Sequence, residues 1–222
     1  MIIGLLVVIL LIAFGRLVTL KNNQTYYDNL DDALMNPEKA EVLVMRNRKM
    51  VTLSSDIGKL YHLKVLNIGN NKLKDLPPEI GQLKDLEELS VENNSLTSLP
   101  AELLKLNRLR KVNLCNNKLN QFPWVNPQSI EEIRLCDNSI MTIPGEIRFM
   151  KQLKVIDLAD NQIGQIPNDL VFPDSLRRLD FFHNGLKSAS PSLFLIPGLR
   201  ELILEDNPLD TISIALYKKF KK

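Results

Sequence analysis

The sequence predicts an α/β fold in the form of a solenoid, a curved stack of short units with a parallel sheet along the concave face. Three observations predict it. First, Leu63–Leu83 places apolar side chains at Leu63, Leu66, Ile68, Leu73, Leu76, Ile80 and Leu83, a spacing that suits neither one strand nor one helix. It reads as a short strand, a turn and a return arc. Second, the pattern recurs in units beginning at Ala40, Leu63, Leu86, Leu109, Ile130, Leu153, Leu176 and Leu199, spaced 23 residues apart except for one step of 21. Third, the ninth place is asparagine in seven units: Asn71, Asn94, Asn117, Asn138, Asn161, Asn184 and Asn207.

The segment before the array, residues 1–20, is apolar except for Gly4, Gly15, Arg16 and Thr19. It predicts a membrane anchor or a cleaved signal segment. A helix over Ile2–Leu20 would rise about 28 Å, close to hydrocarbon thickness, with Arg16 near one end. Ala13 and Gly15 are the small residues that a cleavage site needs, although no basic residue precedes the apolar run. Export is the expectation, because a short N-terminal apolar segment before a soluble domain is most often an export signal. Arg16 and Lys21 weigh the other way, towards a cytoplasmic domain on a membrane. The sequon Asn23-Gln24-Thr25 and the second at Asn93-Asn94-Ser95 read as chance occurrences outside a glycosylating host.

Residues 21–39 predict a polar linker to Tyr27, then a short helix capped by Asp28 or Asn29 and stopped by Pro37. Leu30, Ala33 and Leu34 share one face of it and would cover the open end of the core. From residue 40 to 212 the units hold register. Leu86-Leu89-Val91-Asn94-Leu96 and Leu153-Ile156-Leu158-Asn161-Ile163 follow L-x-x-L-x-L-x-x-N-x-L, and the arcs read L-P-x-x-I-x-x-L. On these motifs the chain resembles the leucine-rich repeat family in its 23-residue form, as met in bacterial surface proteins and intracellular signalling proteins. The resemblance implies a horseshoe that binds a partner and leaves the partner's identity open.

The physical reading agrees. Places four and six point to one face of a strand and stack into a shared apolar core. An amide at place nine can donate and accept where the chain turns, so the asparagines are expected to be structural. Three units depart. Arg48 replaces the asparagine in the first. Phe122–Pro127 replaces the arc of the short unit, where Trp124 is expected to pack. Ala189-Ser190-Pro191 replaces Leu-Pro in the unit at Leu176. Residues 213–222 predict a C-terminal cap with Ile212, Ile214, Leu216 and Phe220 inward and a basic tail outward.

Eight strands about 4.8 Å apart make a concave face roughly 35 Å long. At places two and three the charge alternates by rung (Glu87-Glu88, Arg110-Lys111, Glu131-Glu132, Lys154, Arg177-Arg178), which predicts cross-strand ion pairs or a polar partner surface. The concave places hold nine basic and thirteen acidic residues, a balance that disfavours a nucleic-acid groove. The candidate partner contacts are Asn67, Glu92, Asn113, Arg134, Asp157, Asp180, Phe182, His183 and Ile203. Phe182 and Ile203 form an apolar pair unless the cap folds over them. Cys115 and Cys136 occupy one place on consecutive rungs, within reach of a disulfide. Because the two side chains point the same way, free thiols are favoured; a disulfide or a metal site stays open.

Composition excludes much else. The 222 residues carry 28 basic and 26 acidic groups, two cysteines and two histidines, with 45% hydrophobic content. This is a globular composition without a disulfide scaffold or a general electrostatic drive. No phosphate loop, paired-histidine zinc motif or nucleophile elbow occurs, and His62 and His183 fall on distant rungs. The expectation is a monomeric, cofactor-free, non-enzymatic module that binds a protein, attached to a membrane or secreted. The alternative is a cytoplasmic regulatory scaffold.

Overall fold

The computed structural model describes residues 11–13, 16–18, 25–123 and 129–221. The expectation for Trp124 lies outside these, as does that for Asn23 and for most of residues 1–20. The described part of that first segment is two short strands, β1 (Leu11–Ala13) and β2 (Arg16–Val18), paired antiparallel with Leu11 opposite Val18. Among the described residues no helix is long and apolar enough to cross a membrane.

The rest is one sheet of nine parallel strands laid side by side in chain order. They are β3 (Thr25–Tyr27), β4 (Ala40–Val44), β5 (Val65–Asn67), β6 (Glu88–Ser90), β7 (Lys111–Asn113), β8 (Glu132–Arg134), β9 (Val155–Asp157), β10 (Arg178–Asp180) and β11 (Glu201–Ile203). Strand β3 falls where the composition predicts a linker. Tyr26 and Tyr27 are β-favouring, and pairing with β4 covers what would otherwise be an exposed sheet edge.

The register puts like places side by side. Leu66, Leu89, Val112, Ile133, Ile156, Leu179 and Leu202 form one column, all 2% exposed or less. All seven apolar residues of Leu63–Leu83 are likewise buried. Five return arcs close as 3₁₀ turns, at Ser55–Lys59, Pro78–Gln82, Ala101–Lys105, Gly145–Phe149 and Pro191–Leu195. Proline leads the last four because its fixed φ suits the entry and its missing N–H would have had no partner there, while the first is capped by the Ser54 side chain. The glycine at the fourth place of the second turn is a spacing device: a Cβ on Gly81 would lie 2.7 Å from the Glu102 carbonyl oxygen of the next rung.

The ends are covered differently from each other. Helix α1 (Leu30–Leu34) is capped by Asn29, whose Oδ1 accepts from the Asp31 N–H at 2.8 Å, and it buries Ala33 completely. Helix α2 (Thr211–Phe220) is capped by Asp210 and buries Ser213 and Tyr217. Here the structure corrects the sequence reading. Ile212 and Ile214 are exposed, at 73% and 40%, whereas the Ser213 hydroxyl oxygen accepts the Ala189 N–H and Tyr217 reaches the edge strand. Polar groups take the inward face because β11 leaves backbone groups unpaired at the sheet edge, and those need hydrogen bonds more than apolar cover.

Candidate functional site

Each unit begins its return with the place-nine asparagine. In Asn138 the side-chain oxygen accepts from the Leu119 N–H at 3.0 Å, while the amide nitrogen faces the carbonyls of Leu114, Leu135 and Cys136 at 3.0–3.1 Å. Asn71, Asn94, Asn117, Asn161, Asn184 and Asn207 make the equivalent contacts. These residues hold the rungs together and present nothing to the concave face.

Place five serves the frame and not a partner in four of the units. The side-chain oxygens of Asn67, Asn113, Asp157 and Asp180 each accept the N–H two residues on, at Gly69, Cys115, Ala159 and Phe182, over 2.9–3.2 Å. This is the Asx turn that short polar side chains favour, and it pins the exit of each strand. Asn67, Asn113 and Asp180 are accordingly buried, and Asp157 is half-buried. Burial pushes the Asp157 carboxyl above the ordinary carboxylate range and the neighbouring Asp180 adds to it, against the Ala159 hydrogen bond and the nearby Arg134 and Arg178.

Glu92 is also a frame residue. Arg46 reaches it across a whole rung, Nη2 to carboxylate 2.8 Å, because Gly69 in between has no side chain. A Cβ there would lie 2.7 Å from the Glu92 carboxyl carbon. Ser90 donates to the same carboxylate.

Place eight carries positive φ in every unit: Asn47, Asn70, Asn93, Asn116, Asp137, Asp160, His183 and Asp206, with φ from 48° to 56°. Asparagine and aspartate tolerate this left-handed region best among side-chain-bearing residues, which explains their dominance there. The column of Asn and Asp at that place was a readable signal for it. His183 sits in the same strained turn, exposed, its Nδ1 2.7 Å from Asp160.

The charge ladder is present and largely self-paired. Lys64 meets Glu41 at 2.5 Å, Arg110 and Lys154 both meet Glu131, and Lys111 meets Glu88 at 2.6 Å. Hydrogen bonds from Lys154, and then from Arg110, overcome partial burial and hold the Glu131 carboxyl below its ordinary range. Arg178 bridges Glu201 and Asp180, and Arg134 turns back to Glu132 at 2.6 Å. The Asp85 carboxylate accepts from His62 Nδ1, 2.8 Å away; that hydrogen bond, then Arg108, lowers the Asp85 pKa.

What remains open to a partner is smaller than the nine candidates. Phe182 is 37% exposed, Ile203 is half-buried and His183 is exposed, all on the last rungs. Phe182 and Ile203 border a concavity of about 460 Å³ with Arg200, Glu201, Glu205 and Phe220. Thus α2 edges the apolar pair without folding over it.

Cys115 and Cys136 are joined by a disulfide, with Cα atoms 4.5 Å apart, where the sequence reading favours free thiols. Adjacent parallel strands bring the two Cα atoms to the near end of the bonding range, close enough for the sulfurs to meet. The bond joins the rung of the short unit at Leu109 to the next rung, at Ile130. Asp157 of the following rung lies beside it, its carboxylate and the two sulfurs all within 4.8 Å of one another.

Comparison with known proteins agrees with this geometry. A profile described as a leucine-rich repeat region matches residues 40–133, and a second leucine rich repeat profile matches 128–186. Among solved structures, a leucine-rich repeat protein of Leptospira interrogans is similar at 29% identity and a TM-score of 0.65, over 88% of this chain and 62% of that one. The Toll–Spatzle complex of Drosophila gives 26% identity and 0.67, over 78% of this chain and 24% of the other. YopM, a leucine-rich effector protein from Yersinia pestis, gives 25% and 0.61, over 77% and 50%. The chain therefore spans less than two thirds of each of these proteins. No curated protein sequence matches it.

Proposed function

This chain belongs to the leucine-rich repeat family, and we propose that it is a non-enzymatic interaction module that receives a protein partner on the concave face of its sheet. The observation that carries the reading is the apolar pair Phe182 and Ile203, left open beside the concavity at the end of a largely self-paired face. An exposed aromatic group in a rim of charge is the composition of an interface anchor. His183 stands beside Phe182, ring centroids 6.2 Å apart, as a polar contact, and Arg134 lies two strands away on β8 as a further one. The neighbours support binding as a coarse role, since one of the similar structures is the Toll–Spatzle complex, a molecular hub, and another is a leucine-rich effector protein.

The apolar run of residues 1–20 supports placement outside the cytoplasm, attached to a membrane or released after cleavage, and a disulfide accords with an oxidising compartment. Photo-crosslinkers at positions 134 and 182, with a convex-side control at position 104, test the face. Capture of one protein from both concave positions and not from the control supports the proposal; capture from the control alone overturns it. A reporter fused after Lys222 tests placement, and activity only in the cytoplasm overturns export.

A further inference from the structure

We propose that reduction of the Cys115–Cys136 bond converts this part of the concave face into a three-ligand site for a thiophilic divalent cation of the zinc type, held by the two thiolates and the Asp157 carboxylate. The site lies apart from the apolar concavity at Phe182 and does not rest on the binding role proposed above.

Three features of the frame carry it. Place-seven side chains on adjacent parallel strands leave the sheet in the same direction, from Cα atoms 4.5 Å apart. In a tetrahedral zinc site with Zn–S bonds of about 2.3 Å the two sulfurs lie about 3.8 Å apart. Two parallel thiolates therefore span a metal with little movement. The third ligand comes from the next rung, where Asp157 at place five already has a carboxylate oxygen within 4.8 Å of both sulfurs. Its Oδ1 accepts the Ala159 N–H at 3.2 Å, which orients the carboxylate as outer-shell hydrogen bonds orient metal ligands and leaves the other oxygen to coordinate.

The donor set is thiolate-rich and suits zinc over magnesium or calcium. Two thiolates and a carboxylate exceed the charge of a divalent cation by one, and Arg134 and Arg178 stand near enough to Asp157 to offset it. All three ligand residues are half-buried, so the cation can enter and the fourth position opens to water or to a donor brought by another molecule. The chemistry balances without further reagents beyond a dithiol. The dithiol gives two electrons and two protons to the protein S–S bond and is itself oxidised to a disulfide, and metal binding then releases the two thiol protons. The site is closed in the oxidised protein and available in the reduced one.

The test is titration of the full chain with cobalt(II), after reduction with a dithiol removed under anaerobic conditions. The expected result is one equivalent bound, with a thiolate-to-cobalt charge-transfer band that zinc abolishes. The oxidised protein and Cys115→Ser should show no such band. Asp157→Asn, and Asp157→Ser (serine being the place-five residue of the Ser90 rung), should bind on the order of tenfold more weakly or worse. Asp160→Asn, on the same rung but facing His183, should bind as the parent does. Circular dichroism verifies that each variant is folded. Absence of the band in the reduced parent overturns the proposal, and so does undiminished affinity in the folded Asp157 variants.

Discussion

Replacing Asn138 by alanine strips four polar contacts from one turn, because its single amide serves the N–H of Leu119 and the carbonyls of Leu114, Leu135 and Cys136. Those backbone groups are inside the solenoid, so the loss is the penalty of unpaired buried groups and not merely of bonds exchanged with water. Destabilisation of about 1–3 kcal/mol is expected in urea unfolding; a change below about 0.5 kcal/mol, the size of an ordinary surface substitution, contradicts the role. The same accounting explains why Asn67, Asn113 and Asp180 are poor places to look for a partner. Their oxygens already hold the strand exits, and three of the predicted contacts are in this way part of the frame. Gly69 illustrates the converse, a residue whose lack of side chain lets Arg46 reach Glu92 over the intervening rung.

At the scale of elements, the most consequential contact is that of α2 with β11. The Tyr217 hydroxyl stands 3.0 Å from the Leu202 carbonyl, 3.1 Å from the Leu204 N–H and 2.6 Å from the Glu205 carboxylate, which Lys221 also meets. A phenol thus closes the edge that another strand would otherwise extend. Burial pushes the Glu205 carboxyl up, but hydrogen bonds from Lys221 and Tyr217 outweigh it and bring the pKa from 4.5 down to about 2. A carboxyl depressed in the folded state stabilises it above the unfolded pKa, and that contribution is lost as pH falls through the folded one. The stability advantage of the parent over Glu205→Gln is therefore expected to be full above pH 4.5 and to shrink between pH 4.5 and about 2. Unfolding midpoints of both proteins across that range measure it, and a difference independent of pH refutes the account.

For the whole molecule, cohesion passes from rung to rung, since each unit packs on its neighbours alone. The short unit is the place where that chain of contacts changes, with its arc replaced and the spacing reduced to 21 residues. The disulfide spans this step and closes a loop with a sequence separation of 21. A cross-link over such a loop is worth about 3 kcal/mol in the chain-entropy view. Reduction in the presence of a chelator should lower the unfolding midpoint. It should also speed amide exchange in β7 and β8 more than in β4 and β5. Uniform exchange across all four strands would show that the bond has no special part in joining the two halves.

The architecture was legible in the sequence because it is periodic. Every unit repeats the same inward places, so one correct reading of Leu63–Leu83 is checked seven more times along the chain, and the asparagine column declares its own structural reason. The face was less legible. Place five and place eight vary between units as a binding surface would, yet Asn67 closes an Asx turn and Asn70 occupies a left-handed turn. Local backbone geometry selects a few polar residue types there, and such variation imitates recognition. Only the tertiary structure decides which groups are spent. It brings residues far apart in sequence within reach of one another, and so pairs Lys64 with Glu41, buries Glu92 against Arg46, joins Cys115 to Cys136 beside Asp157, and turns Tyr217 to the edge of β11 while Ile212 faces water. The sequence by itself determined the repeat, the core and the ladder, because these rest on spacing along the chain. Which side chains stay free for a partner depends on distances between rungs, and those exist only in the folded stack.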